Sequence, residues 1–177
     1  ASFAFGINAA GQVVGRSSTT SGERAFLWDS VNGMQDLGVL PGIGGASAAF
    51  AINSAGQVVG RSDTATGPRA FLWDSVNGMR DLGDLPGGAD LSHAYNINDA
   101  GQVVGYSNAV SGDRAFLWDS VNGMRDLGDL PGGADQSYAF SINNASQVVG
   151  WSATAGGPRA FLWDDATGMN DLGVLTP

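Results

Sequence analysis

The sequence contains no cysteine and no lysine, and only one glutamate and one histidine. Without cysteine there can be no disulfide framework, no thiolate metal site and no thiol redox chemistry. Charge is carried by sixteen Asp, Glu23 and eight Arg, for a net −9. That balance lacks the clustered positive charge that nucleic acid or an anionic membrane surface demands, so no nucleic-acid partner is expected. No apolar run is long enough to cross a bilayer, so no membrane insertion is expected, and no secretory signal is visible at Ala1. Helical periodicity is missing too, because nowhere do apolar residues keep a 3.6-residue spacing over a helix-length window. Neither G-x-S-x-G nor H-E-x-x-H occurs. His93 has no repeated partner, and a glycosidase-like carboxylate pair would have to come from Asp residues, most of which sit in repeated turn positions. The chain is therefore expected not to be an enzyme.

What is present is a repeat. The dipeptide Ile-Asn recurs at Ile7, Ile52, Ile97 and Ile142, always 45 positions apart, and RAFLWD recurs from Arg24, Arg69, Arg114 and Arg159. A fixed period of this size marks a propeller, a solenoid or an array. Twenty-eight glycines in a chain that is 43% hydrophobic suit many short strands with tight turns. In the third repeat, Ser92–Asn98, Gln102–Ser107, Arg114–Asp119 and Met124–Leu130 read as strands A to D, separated by turn signals at Asp-Ala-Gly and Ser-Val-Asn-Gly. Strand C is apolar on both faces, with Ala115 and Leu117 on one side and Phe116 and Trp118 on the other. A strand of that kind is covered twice, as in a blade held between two neighbours.

These features predict an all-β chain with almost no helix: a β-propeller of four-stranded antiparallel blades. It is expected to be one domain over 1–177, with blades at about 1–45, 46–90, 91–135 and 136–177. A trefoil is disfavoured by four repeats, and a solenoid by the repeat length. No single unit can bury its own apolar faces, so stability must come from stacking. The shared core INxxGQVVG, RAFLWD and GMxDLGxLPGG resembles the HAF repeat of bacterial extracellular proteins, in four copies over essentially the whole chain. The triplet that names that family stands loosely as His93-Ala94-Tyr95 and Tyr138-Ala139-Phe140. Strand order is similar to a kelch blade in layout only, since the paired glycines are missing. The HAF resemblance implies an extracellular or cell-envelope setting and no established chemistry.

Function is sought where the repeats differ. Pairing strands A and B sets Phe3 opposite Arg16, Ala48 opposite Arg61, His93 opposite Tyr106 and Tyr138 opposite Trp151; the same scheme pairs Ile7 with Gln12 and Phe5 with Val14. These variable pairs lie toward the B–C and D–A loops, whereas the INxxGQ and WDSVNG turns on the opposite rim are uniform. A variable rim on a rigid scaffold is a natural binding surface. Phe3, Arg16, Arg61, His93, Tyr106, Tyr138 and Trp151 are the candidate ligand-binding residues. Rings that stack and an Arg donor fork suit a carbohydrate or a peptide or protein ligand. The competing reading is local packing beneath the loops, with the chain a structural spacer that binds nothing. A hydrolase using rim Asp residues is the third.

Other repeated residues read as scaffold. Trp28, Trp73, Trp118 and Trp163 should pack between blades. Arg24, Arg69, Arg114 and Arg159 should pair with Asp36, Asp81, Asp126 and Asp171, fixing register more than stability. The DSVNG turns at Asp29 and its equivalents are too short and too poor in carboxylates for a calcium loop. No metal and no cofactor is expected, although an ion held by backbone carbonyls in a central channel would leave no trace in a sequence. Either four blades close as a monomer, or open blade faces drive self-association.

Overall fold

The computed structural model describes residues 1–42 and 45–175. Every regular element among them is a strand. The first sheet holds β1 (Ser2–Ile7), β2 (Val13–Thr19), β3 (Gly22–Asp29) and β4 (Gly33–Asp36). The second holds β5 (Ser47–Ile52), β6 (Val58–Asp63), β7 (Pro68–Asp74) and β8 (Gly78–Asp81). The third holds β9 (Gly87–Ile97), β10 (Val103–Ala109), β11 (Gly112–Asp119) and β12 (Gly123–Asp126). The fourth holds β13 (Ser137–Ile142), β14 (Val148–Thr154), β15 (Gly157–Asp164) and β16 (Gly168–Asp171). All neighbours pair antiparallel in chain order, one sheet per repeat.

Two details differ from expectation. The last strand of each unit is shorter: β12 ends at Asp126, because the Asp126 carboxylate accepts the Gly128 N–H and turns the chain out of the ladder. The pairing of the first two strands also carries a bulge. Phe3 does face Arg16, but Gly6 rather than Phe5 faces Val14, and Ile7 faces Val13 rather than Gln12. The same shift recurs in the other three sheets. It leaves Phe5, Phe50, Tyr95 and Phe140 without a ladder partner, as an extra residue does in a bulge. The glycine opposite is obligatory there. A Cβ on Gly105 would lie 1.8 Å from the His93 carbonyl oxygen, and one on Gly60 would lie 2.0 Å from that of Ala48.

The core lies between sheets. Val14, Ala25, Leu27, Leu37 and Leu40 of the first meet Ala49, Ile52, Val58 and Phe71 of the second, with Trp73 and Met79 at the margin. The same chemistry fills the second and third junctions, where Trp118 and Trp163 pack between successive sheets. Trp28, on the outer face of the first sheet, stays exposed. β5, β9 and β13 each pack against the three inner strands of the preceding sheet, and no contact of that extent joins the first and fourth sheets among the described residues.

Buried serines pin each junction. Ser92 Oγ accepts the Ala70 N–H at 3.0 Å and donates to the Gly83 carbonyl at 2.6 Å. Ser47 and Ser137 do the same. Just after β1, β5 and β9 the Asn8, Asn53 and Asn98 side-chain amides each donate to the backbone carbonyl of the next Asn in the series, at 3.1 Å.

The arginine pairing requires correction. Arg69 bonds Asp84 at 2.6 Å and Asp90 at 2.9 Å, and Arg114 bonds Asp129 and Asp135. Asp81 and Asp126 instead cap their own turns through Gly83 and Gly128. Repeat one has Val39 and Gly45 where repeat two has Asp84 and Asp90, so Arg24 donates to the Gly45 carbonyl and not to Asp36. Only Arg159 approaches the expected partner, Asp171, at 3.9 Å. The DSVNG turn is held from within: Asp119 Oδ1 accepts the N–H groups of Val121 and Asn122.

Candidate functional site

Four of the seven candidate rim residues converge. His93 on β9 faces Tyr106 on β10, with ring centroids 4.9 Å apart. Tyr106 meets Tyr138 of the fourth sheet at 4.6 Å, and Tyr138 stacks on Trp151 at 4.8 Å with 20° between the planes. The result is one aromatic row spanning two sheets. Phe3 and Arg16 form a separate cluster, with the guanidinium 5.1 Å from the Phe3 ring and 2.9 Å from Glu23.

A second line of rings joins the two clusters, and it was hidden by its own regularity. Phe5, Phe50, Tyr95 and Phe140, the four bulge residues, run from sheet to sheet at 5.8, 5.9 and 5.7 Å. Tyr95 stacks on Tyr106 at 5.8 Å, which ties this line to the row. An aromatic at the same place in every repeat reads as scaffold, yet the bulge turns it out of the ladder and toward its counterparts.

The electrostatics keep the row uncharged at neutral pH. Burial, and then the charge of Arg61, lower the His93 pKa to about 4, against a weaker pull from Asp63 and Asp113. Burial raises Tyr106 to about 12, with help from Tyr95 and Asp113. Tyr138 is raised by burial and by its hydrogen bond to Asp113, 2.5 Å from its hydroxyl. Asn108 donates to the other oxygen of Asp113 at 2.9 Å. Neutral, half-buried rings edged by Arg61, Asp63 and Asp113 offer flat stacking faces beside charged hydrogen-bonding groups.

The uniform rim holds a depression of about 450 Å³ that sequence reasoning missed, lined by Asn8, Asn53, Asn98 and Asn143 with the isoleucines before them. Its asparagines are engaged, each accepting backbone N–H groups of its own turn and donating to the following Gln. Asp99 there is held below the usual carboxylate range by the Ser54 N–H and the Asn144 amide. Among the described residues no group of three or more His, Asp or Glu is placed to hold a metal.

A family model described as "Protein of unknown function (DUF3466)" matches residues 45–172. The chain belongs to that family. No curated protein matches the sequence. Among solved structures this DUF3466 chain is similar to the crystal structure of TolB from Acinetobacter baumannii, at 16% identity and a TM-score of 0.71. The alignment covers 100% of this chain and 44% of that one, and at this identity the likeness bears on the fold alone. No helix among the described residues is long and apolar enough to cross a membrane.

Proposed function

We propose that this DUF3466 chain is a non-catalytic, propeller-type binding module that holds a carbohydrate along its aromatic row. The observation that carries this is the unbroken contact of His93, Tyr106, Tyr138 and Trp151, each ring within 4.9 Å of the next. Successive rings offer successive stacking platforms to the apolar faces of sugar units, and Arg61, Asp63 and Asp113 stand beside them for the hydroxyl groups. Four stacked antiparallel sheets and the likeness to the TolB structure support the propeller form. The resemblance to the HAF repeat supports an extracellular or envelope setting. His93, desolvated and ringed by aromatics, is held as a neutral imidazole that accepts a proton only weakly, in keeping with a non-catalytic role.

The test is a panel of soluble oligosaccharides titrated calorimetrically against the parent chain and the Trp151→Ala and Tyr138→Ala variants. Each lost ring should weaken binding about 2- to 12-fold, from roughly 0.5–1.5 kcal/mol per aromatic contact. Affinity unchanged in both variants would remove the row as the site. Failure of every glycan would favour the structural reading, in which the rings stack only on one another and Asp113 serves only to hold Tyr138.

A further inference from the structure

Each internal junction joins two unlike faces. A sheet presents Val, Ala and three Leu (Val104, Ala115, Leu117, Leu127 and Leu130 in the third), and the next sheet receives them with Ser, Ala, Ile, Val, Phe and Trp. The same letters occur in all four repeats, so among the described residues both faces also occur without a sheet against them. On the fourth sheet the presenting face is open: Val149, Leu172 and Leu175 are 41%, 59% and 100% exposed, against 0%, 6% and 3% for Val104, Leu127 and Leu130. On the first sheet the receiving face is open around a buried Phe26: Ile7, Trp28 and Met34 are 69%, 38% and 50% exposed, whereas Ile97 and Trp163 are buried.

The polar groups are split in the same way. Ser47, Ser92 and Ser137 each bridge to the sheet before, and Ser62, Ser107 and Ser152 each accept the N–H of Leu40, Leu85 or Leu130. The fourth set is divided between the two ends. Ser2 and Ser17 lie on the first sheet, and the Ala160 and Leu175 N–H groups lie on or beside the fourth. Among the described residues Asn143 makes no onward bond like those of Asn8, Asn53 and Asn98, and the Asn8 carbonyl is its counterpart.

We propose that a second copy of this chain docks head-to-tail, the presenting face of its fourth sheet on the receiving face of the first. The occupant is specified by the interior: three junctions already show which surface fits each open face, and the other end of the same chain carries it. The docked junction would bury Leu172 and Leu175 against Trp28 and Met34 and complete the serine and asparagine bridges. It would also set Trp151 against Phe3 of the neighbour as Tyr106 stands against Tyr138, extending the aromatic row. The contact is heterologous, so copies close into a ring if the rotation returns and otherwise continue as an open series. The inference does not rest on carbohydrate binding.

The test uses the whole chain. Light scattering over a dilution series should show a discrete oligomer or a concentration-dependent series. Met34→Asp and Leu172→Asp change residues already exposed in the single chain, so both should fold and both should be monomeric, the association constant falling more than about tenfold for a charge forced into an apolar junction. Mixing the two variants should restore a dimer, because each keeps the face the other has lost. The native chain has no Cys. Ser2→Cys and Ala160→Cys copies, mixed and oxidised, should therefore give a single cross-linked species of twice the 18.0 kDa chain mass. A parent chain that stays monomeric at every concentration would overturn the proposal. So would variants that fail to complement each other, or a Ser2→Cys/Ala160→Cys double variant that cross-links only within itself.

Discussion

Replacing one buried serine at a junction removes two hydrogen bonds and little else. Ser92 is fully buried, and its hydroxyl satisfies the Ala70 N–H and the Gly83 carbonyl across the second junction. Ser92→Ala leaves both groups buried without a partner, at a cost of about 1–3 kcal/mol. For a chain of this length, each kcal/mol lowers the Tm by roughly 2–4 °C, so Tm should fall by roughly 2–12 °C. Ser47→Ala and Ser137→Ala should match it, because their bonds repeat the same geometry to within 0.1 Å. The double variant Ser47→Ala/Ser137→Ala should be additive within roughly 0.5 kcal/mol, since the two serines serve different junctions.

The chain supplies its own control. Ser2 is the equivalent residue on the first sheet and is exposed. Ser2→Ala should change stability by less than roughly 0.5 kcal/mol, as an ordinary surface substitution does. Thermal unfolding followed by near-ultraviolet circular dichroism, in samples dilute enough to stay monomeric, measures all four. No shift at the three interior sites would refute the bridging argument. Equal shifts at all four would refute the open first face.

Gly105→Ala should cost about 3 kcal/mol in chemical denaturation, because its Cβ would meet the His93 carbonyl at 1.8 Å; a loss below about 1 kcal/mol would mean the bulge relaxes freely. His93 has a folded pKa of about 4 against an ordinary 6.5, so the unfolded chain binds its proton first. The His93 contribution should be level above pH 6.5, decline as pH falls from 6.5 toward 4, and change no further below; an NMR titration midpoint near 6.5 would contradict the burial, and His93→Phe should flatten the slope between pH 6.5 and 4. Asp74 and Asp119 are shifted downward as well, by their turn hydrogen bonds, those of Asn77 and Asn122 foremost, so their contribution holds above the ordinary carboxylate value and is lost at lower pH, as carboxyl NMR should show.

The period, the all-β character and the rim pairs were legible because each rests on local chemistry repeated four times. Strand pairing within the A–B hairpin needs only residues close in the chain, and Phe3–Arg16 and His93–Tyr106 emerged correctly. The bulge did not, because its cause is a carbonyl on the neighbouring strand: Gly105 reads as a weak strand residue until the His93 oxygen is placed beside it. The partners of Arg69 and Arg114 were visible as differences, since Asp84 and Asp129 face Val39 and Val174 in the other repeats. Attention to the invariant Asp81 and Asp126 pointed the other way.

Exposure of the end faces is a different kind of fact. Val149 and Val104 have the same neighbours in sequence and the same place in their strands, yet one is 41% exposed and the other buried. In a repeat chain a residue's letter encodes the face it belongs to, and only the presence of the next sheet decides whether that face is core or surface. A polar capping repeat would carry other letters on its outer face. Among the described residues the first and fourth sheets instead keep the junction letters, so Ile7 and Leu172 stand exposed where Ile97 and Leu127 are core.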